Sequence, residues 1–137
     1  MGINQKQIYD YISNIGKEAD LFTAVWAVKM PSVFNMVVFG SMAILFDLRY
    51  NILSVSQNEI IIIGVDAAGR LTPYHVCLEK KDIQNVILKN KLMGSQIEIV
   101  TENGKLIYQI NKIMVGSGFH KENYPKAMQI LKQFSNE

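Results

Sequence analysis

Gln96-Ile97-Glu98-Ile99-Val100-Thr101-Glu102-Asn103-Gly104-Lys105-Leu106-Ile107-Tyr108-Gln109-Ile110 is the stretch that decides the fold class of this chain. Its first run alternates, with Ile97 and Ile99 on one face and Gln96, Glu98 and Val100 on the other, which is the period of a half-buried strand. The second run places Leu106, Tyr108 and Ile110 on one face. Between them Asn103-Gly104 reads as a type I′ turn, because both central positions of that turn need positive φ and this pair tolerates it. Glu98 to Ile113 is therefore expected to be a hairpin whose register is held by its apolar face.

The same grammar extends upstream. Ile83 to Lys89 reads as a strand with Val86 and Leu88 on one face and Ile87 on the other, and Asn90 to Ser95, with Gly94, connects it to the hairpin. Tyr74, Val76 and Leu78 alternate with His75 and Cys77, and Lys80-Lys81-Asp82 makes a polar bend. Ile52 to Val55 and the β-branched run Glu59 to Val65 flank a turn at Gln57-Asn58, and Asp66-Ala67-Ala68-Gly69 supplies the next one. Leu21 to Val28 carries helical spacing at Phe22, Val25 and Val28 but is rich in β-formers, so it is read as a strand, stopped by Pro31.

Helices are expected at both ends. Ile8, Tyr11, Ile12 and Ile15 recur at helical spacing, with Gly16 as the stop. Near the other terminus Gly116-Ser117-Gly118 is a break, Asn123 can cap, and Pro125 suits a first helical turn. Tyr124, Ala127, Met128, Leu131 and Phe134 then form an apolar stripe.

At 137 residues, with 49% hydrophobic and 19% charged residues, the chain has the size and composition of one domain with a core of its own. Lys and Arg number 14 against 12 Asp and Glu, a net charge of +2, so nothing points to a histone-like nucleic-acid binder. Cys77 is the single cysteine and His75 and His120 are the only histidines, which leaves no disulfide framework and no zinc spacing. Met1 to Asp20 lacks the basic start, apolar centre and small-residue cleavage site of a signal peptide, so cytoplasmic residence is expected. From Met30 to Phe46 no residue is charged. That run falls short of the roughly 20 apolar residues of a bilayer span and is interrupted by Pro31, Ser32, Asn35, Gly40 and Ser41.

Several of these pieces resemble the bacterial pleckstrin-homology-like domains of the YokE-like type. Tyr50 to Ile63 is similar to the family's opening strand, Ser/Thr-containing turn and second strand. Asp82-Ile83-Gln84-Asn85-Val86 resembles a later strand start, Leu92 to Ile99 a small-residue turn with an alternating strand, and Asn103-Gly104-Lys105 a tight hairpin. His120 to Leu131 is similar to the helix that closes the barrel. The resemblance implies a mainly β (α+β) fold: a barrel of about seven antiparallel strands in two near-orthogonal sheets, with an N-terminal helix and one end plugged by the C-terminal amphipathic helix. The single domain would span residues 1–137, with the N-terminal helix in 1–20, strands in 21–113 around an apolar insert at 30–46, and the closing helix in 120–135. The insert is longer and greasier than that family's short first hairpin loop.

Eukaryotic relatives of that fold hold inositol phosphates on basic residues of the first hairpin. Here the region offers Lys29 and Arg49 alone, and phosphoinositide binding is not supported. Lys80, Lys81, Lys89 and Lys91 form a second basic group, a candidate contact for an anionic partner, but Glu79 and Asp82 interleave with it. No aromatic residue alternates with these lysines as a platform for single-stranded nucleic acid. His75 and Cys77 share a strand face, yet a pair two residues apart on a strand is as readily packing as a nucleophile and base. Ser54 and Ser56 sit in no nucleophile elbow, and no catalytic, cofactor-binding or metal-binding residue is assigned.

What remains is binding. The apolar segment, through Val33, Phe34, Met36, Val37, Val38, Phe39 and Met42, is either an internal helix or strand pair that completes the barrel core or the contact surface of a non-catalytic binding or assembly module that self-associates or meets a protein partner; the second is the functional reading. Two rivals stand beside it. One is a membrane-peripheral adaptor using the same segment; the other is a small-ligand carrier or hydrolase with a barrel pocket near His75 and Cys77.

Overall fold

The computed structural model describes residues 2–114 and 116–136. The elements in chain order are α1 (Gln5–Asn14), β1 (Thr23–Met30), β2 (Tyr50–Val55), β3 (Glu59–Val65), β4 (Leu71–Glu79), β5 (Asn85–Lys91), β6 (Gly94–Thr101), β7 (Gly104–Asn111) and α2 (Gly118–Lys132). Short 3-10 segments lie at Ala19–Leu21, Met36–Asp47 and Lys80–Asp82. All seven strands are antiparallel and form one sheet in the order β4-β3-β2-β1-β7-β6-β5. The sheet is not closed: β4 and β5 are its edges. Among the described residues no helix is long and apolar enough to cross a membrane.

Both faces of the first half of the sheet are covered, and the sequence of β3 carries the reason. Ile60 and Ile62 enter a core shared by all seven strands, together with Val25, Leu53, Val76, Val86, Ile97, Leu106 and Tyr108. Ile61 and Ile63 enter a second cluster on the opposite face, under Ile8 and Ile12 of α1. A strand buried on both sides reads as a continuous apolar run instead of an alternating one. Each isoleucine so buried contributes about 1.5–3 kcal/mol relative to exposure.

Helix α1 starts on a capping box: Asn4 Oδ1 accepts from the Gln7 N–H at 2.9 Å and Gln7 Oε1 accepts from the Asn4 N–H at 2.8 Å. It ends at Gly16, where the N–H groups of Gly16 and Lys17 donate to the carbonyls of Ser13 and Ile12. The apolar stripe thus packs on the sheet. Helix α2 sends Ala127 and Leu131 into the seven-strand core, and Phe134 follows them from the turn just after it.

Three local expectations are corrected. The β6–β7 turn is not type I′. Thr101 pairs with Gly104, which makes Glu102 and Asn103 the two central residues, and positive φ falls on Gly104 (+124°) instead of on Asn103. The cause is a third strand-like segment alongside. The Lys105 N–H donates to the Val33 carbonyl at 3.0 Å, the Asn35 N–H donates to the Asn103 carbonyl at 2.8 Å, and a side chain on Gly104 would stand 2.3 Å from the Val33 oxygen.

Helix α2 begins at Gly118, so Asn123 does not cap it and Pro125 lies in its interior. Burial of Phe119 and His120 recruits the extra turn. Asn123 Nδ2 donates instead to the Ala24 carbonyl at 3.0 Å and to Gln5 Oε1 at 3.1 Å, tying α2 to β1 and α1. The β5–β6 connection is also shorter than expected. Lys91 pairs with Gly94, so Leu92 and Met93 alone make the turn.

Candidate functional site

The uncharged stretch after β1 becomes a short bridge to the β6–β7 turn at Phe34, then a 3-10 segment, Met36–Asp47. Asn35 Oδ1 caps that segment by accepting from the Val37 N–H at 3.2 Å. Gly40 (φ 57°, ψ −133°) breaks it into two pieces. The break matters for packing, because it lets side chains from both pieces turn to the same aromatic cluster. The Phe34 and Phe39 rings stack with centroids 5.5 Å apart, and Phe46 lies 5.7 and 5.5 Å from them. Leu45 is fully buried. It presses on Gly64 of β3, where a Cβ would meet Leu48 Cδ1 at 2.8 Å and Leu45 Cβ at 3.1 Å.

The other side of the segment is bare. Val33 is 90% exposed, Val37 85%, Val38 53% and Ile44 44%. Of the contact residues expected from sequence, Val33, Val37 and Val38 therefore face outward, Met36, Phe39 and Met42 are half-buried, and Phe34 lies inside. Ile44 belongs with the outward group; its neighbours Leu45 and Phe46 in the same apolar run hide it from a sequence reading. An open cleft of about 300 Å³ separates Val38 and Phe39 from Thr101 and Asn103, with Leu78 at its side.

The four candidate anion-contact lysines are not gathered in one place. Lys80 and Lys81 sit in the 3-10 turn before β5, where Lys81 Nζ pairs with Glu79 at 3.1 Å. Lys91 closes the far end of β5, about 20 Å along the strand. Between them Lys89 Nζ lies 2.7 Å from Glu98, whose side chain is 7% exposed and also faces Lys105 Nζ at 3.5 Å. The Lys89 hydrogen bond, followed by the charges of Lys89 and Lys105, holds the Glu98 carboxyl below the usual carboxylate range against the opposing effect of burial.

His75 and Cys77 lie on the half-buried side of β4 that meets α1. Tyr11 Oη and His75 Nδ1 pair at 3.2 Å, and the two rings meet edge to face. Burial pushes the Cys77 thiol up, the Glu59 carboxylate adds to it, and Lys17 opposes it. Burial, followed by the charge at Cys77, pushes the Tyr11 hydroxyl up to about 12. Both groups hold their protons at neutral pH, the opposite of what an activated nucleophile requires. Among the described residues no group of three His, Cys, Asp or Glu side chains is placed to hold a metal ion.

A second apolar surface was missed by the sequence reading. Leu92 is 93% exposed, Met93 71% and Ile113 63%. The available signal was two large apolar residues between Lys91 and Gly94, in a gap just long enough for a two-residue turn.

No family model and no curated protein matches this chain.

Proposed function

We propose that this chain is a non-catalytic, pleckstrin-homology-like assembly module that pairs with a second copy of itself through the outer side of residues 33–44. The observation that carries the proposal is the two-sidedness of the segment: Phe34, Phe39, Leu45 and Phe46 anchor it, while Val33, Val37, Val38 and Ile44 are left to solvent. Branched aliphatic side chains on an anchored segment lose little freedom on association and gain from leaving water. The segment carries no charge, so two copies meet about a two-fold axis without like-charge repulsion.

A barrel of two near-orthogonal sheets is the architecture we assign to the module. Support comes from the strand order, in which β1 serves both halves, and from the larger of the two cores, which one face of all seven strands feeds. In that architecture α2 covers one opening and the 33–47 segment, which joins β1 to β2, packs at another. The protonated thiol of Cys77 and the engagement of His75 by Tyr11 support a non-catalytic role.

Cross-linking tests the proposal. In a Cys77→Ser background, Val37→Cys should give a covalent dimer with a short bismaleimide, whereas Lys6→Cys on exposed α1 should not. Equal yields at the two positions, or no dimer at Val37→Cys, would overturn it.

A further inference from the structure

The turn between β5 and β6 sets Leu92 and Met93 at the outermost point of a two-residue hairpin, nearly free of protein contact. The Lys112 N–H donates to the Met93 carbonyl at 2.9 Å, which places the exposed Ile113 beside them. Lys91 precedes the turn directly and Lys112 precedes Ile113. Among the described residues neither lysine has a carboxylate within ion-pair distance. Lys89 pairs with Glu98, and Lys105 shares that carboxylate toward the other end of β7, which leaves Lys91 and Lys112 as the positive charge at the turn. The whole chain is nearly balanced by comparison, at +2.

We infer that this tip is a contact site for an anionic lipid bilayer, with Leu92, Met93 and Ile113 entering the acyl boundary and Lys91 and Lys112 meeting the headgroups. The shape selects this occupant. A convex apolar point flanked by Lys91 and Lys112 matches a soft layer that is apolar below and anionic above, and large apolar side chains left bare on a tight turn gain nothing from water. The site is independent of the 33–44 surface. That segment docks at the Thr101 end of β6, and the Leu92-Met93 turn lies at its Gly94 end, about 23 Å away along the strand.

Vesicle sedimentation of the full chain is the test, with phosphatidylcholine alone and with about 30% phosphatidylglycerol added. Wild type should sediment with the anionic vesicles and remain in solution with phosphatidylcholine. Leu92→Ser with Met93→Ser should weaken binding at least about tenfold. Lys91→Gln with Lys112→Gln should weaken it about fivefold per lysine and flatten its salt dependence. Both double variants alter exposed side chains, and unchanged circular dichroism would show that they fold. Failure of wild type to sediment with anionic vesicles overturns the inference. So does binding that survives Leu92→Ser with Met93→Ser, including binding that is lost instead in Val37→Glu with Val38→Lys.

Discussion

Trp26 and Asn111 face each other two residues beyond the last pair of the β1–β7 ladder, Val28 with Gln109, and the imidazole of His120 stands between them. His120 Nδ1 accepts from the Trp26 N–H at 3.0 Å, and Nε2 donates to the Asn111 carbonyl. A side chain of α2 thereby replaces a rung of the ladder where the two strands part, and satisfies the buried Trp26 N–H together with the part-buried Asn111 carbonyl. The arrangement requires the neutral ring, protonated on Nε2. Burial lowers the His120 pKa, with the Asn111 hydrogen bond acting in the opposite direction.

A pH dependence follows from that relationship. The folded state disfavours the protonated ring, so the unfolded chain binds more protons once pH falls below the ordinary histidine value of about 6.5. This contribution to stability is complete above that pH and is lost below it, through the depressed folded pKa. Urea denaturation should show a lower midpoint for wild type at pH 5.5 than at 7.5. His120→Gln can accept from Trp26 and donate to Asn111 without titrating, so it should lack that part of the slope. His120→Ala should cost about 2–4 kcal/mol at pH 7.5, since it leaves a cavity and two unpaired main-chain groups.

Gly104 is expected to be intolerant where its neighbour is not. An alanine there meets the Val33 oxygen at 2.3 Å and takes a φ of +124°, and the expected loss is about 3 kcal/mol. Asn103→Ala, at a position without positive φ, should stay within about 1 kcal/mol of wild type. Equal costs in chemical denaturation would contradict the docking of residues 33–35 on this turn.

The apolar segment should divide by side. Leu45→Ala removes a fully buried side chain from the core and should cost about 3–5 kcal/mol. Val37→Ala, at an exposed position, should change monomer stability by less than about 0.5 kcal/mol when measured in dilute solution.

Tyr108 gives a prediction of the opposite sign. Its ring is fully buried and, among the described residues, its hydroxyl has no hydrogen-bond partner. Burial pushes its pKa far up, so the phenol stays neutral. Tyr108→Phe removes an unpaired polar atom and keeps the packing, and should raise stability by about 1 kcal/mol in thermal or urea unfolding.

Much of this fold is legible in the sequence because its signals are periodic. The alternation of Ile97 and Ile99 with Gln96 and Glu98, and the helical spacing of Ile8 with Ile12 and of Ala127 with Leu131, each mark a face that the structure buries. The unbroken run Ile60 to Ile63 is the pattern that a strand covered on both sides requires, and the structure covers it on both sides. Other features depend on neighbours remote in sequence. The turn at Glu102-Asn103 is set by Val33, and the early start of α2 is set by contacts of His120 with β1 and β7. The division of residues 33–46 into anchors and bare side chains was not legible, because a 3-10 segment broken at Gly40 has neither the strand period nor the α-helical one.

Sedimentation equilibrium of the intact chain, beside Val37→Glu with Val38→Lys, separates a paired chain from a single one. The prediction is a wild-type mass of twice 15.5 kDa that falls to 15.5 kDa in the double variant, with the urea midpoint of the dilute protein unchanged. A wild type that remains at 15.5 kDa across the concentration range, or a variant that keeps the doubled mass, would contradict it.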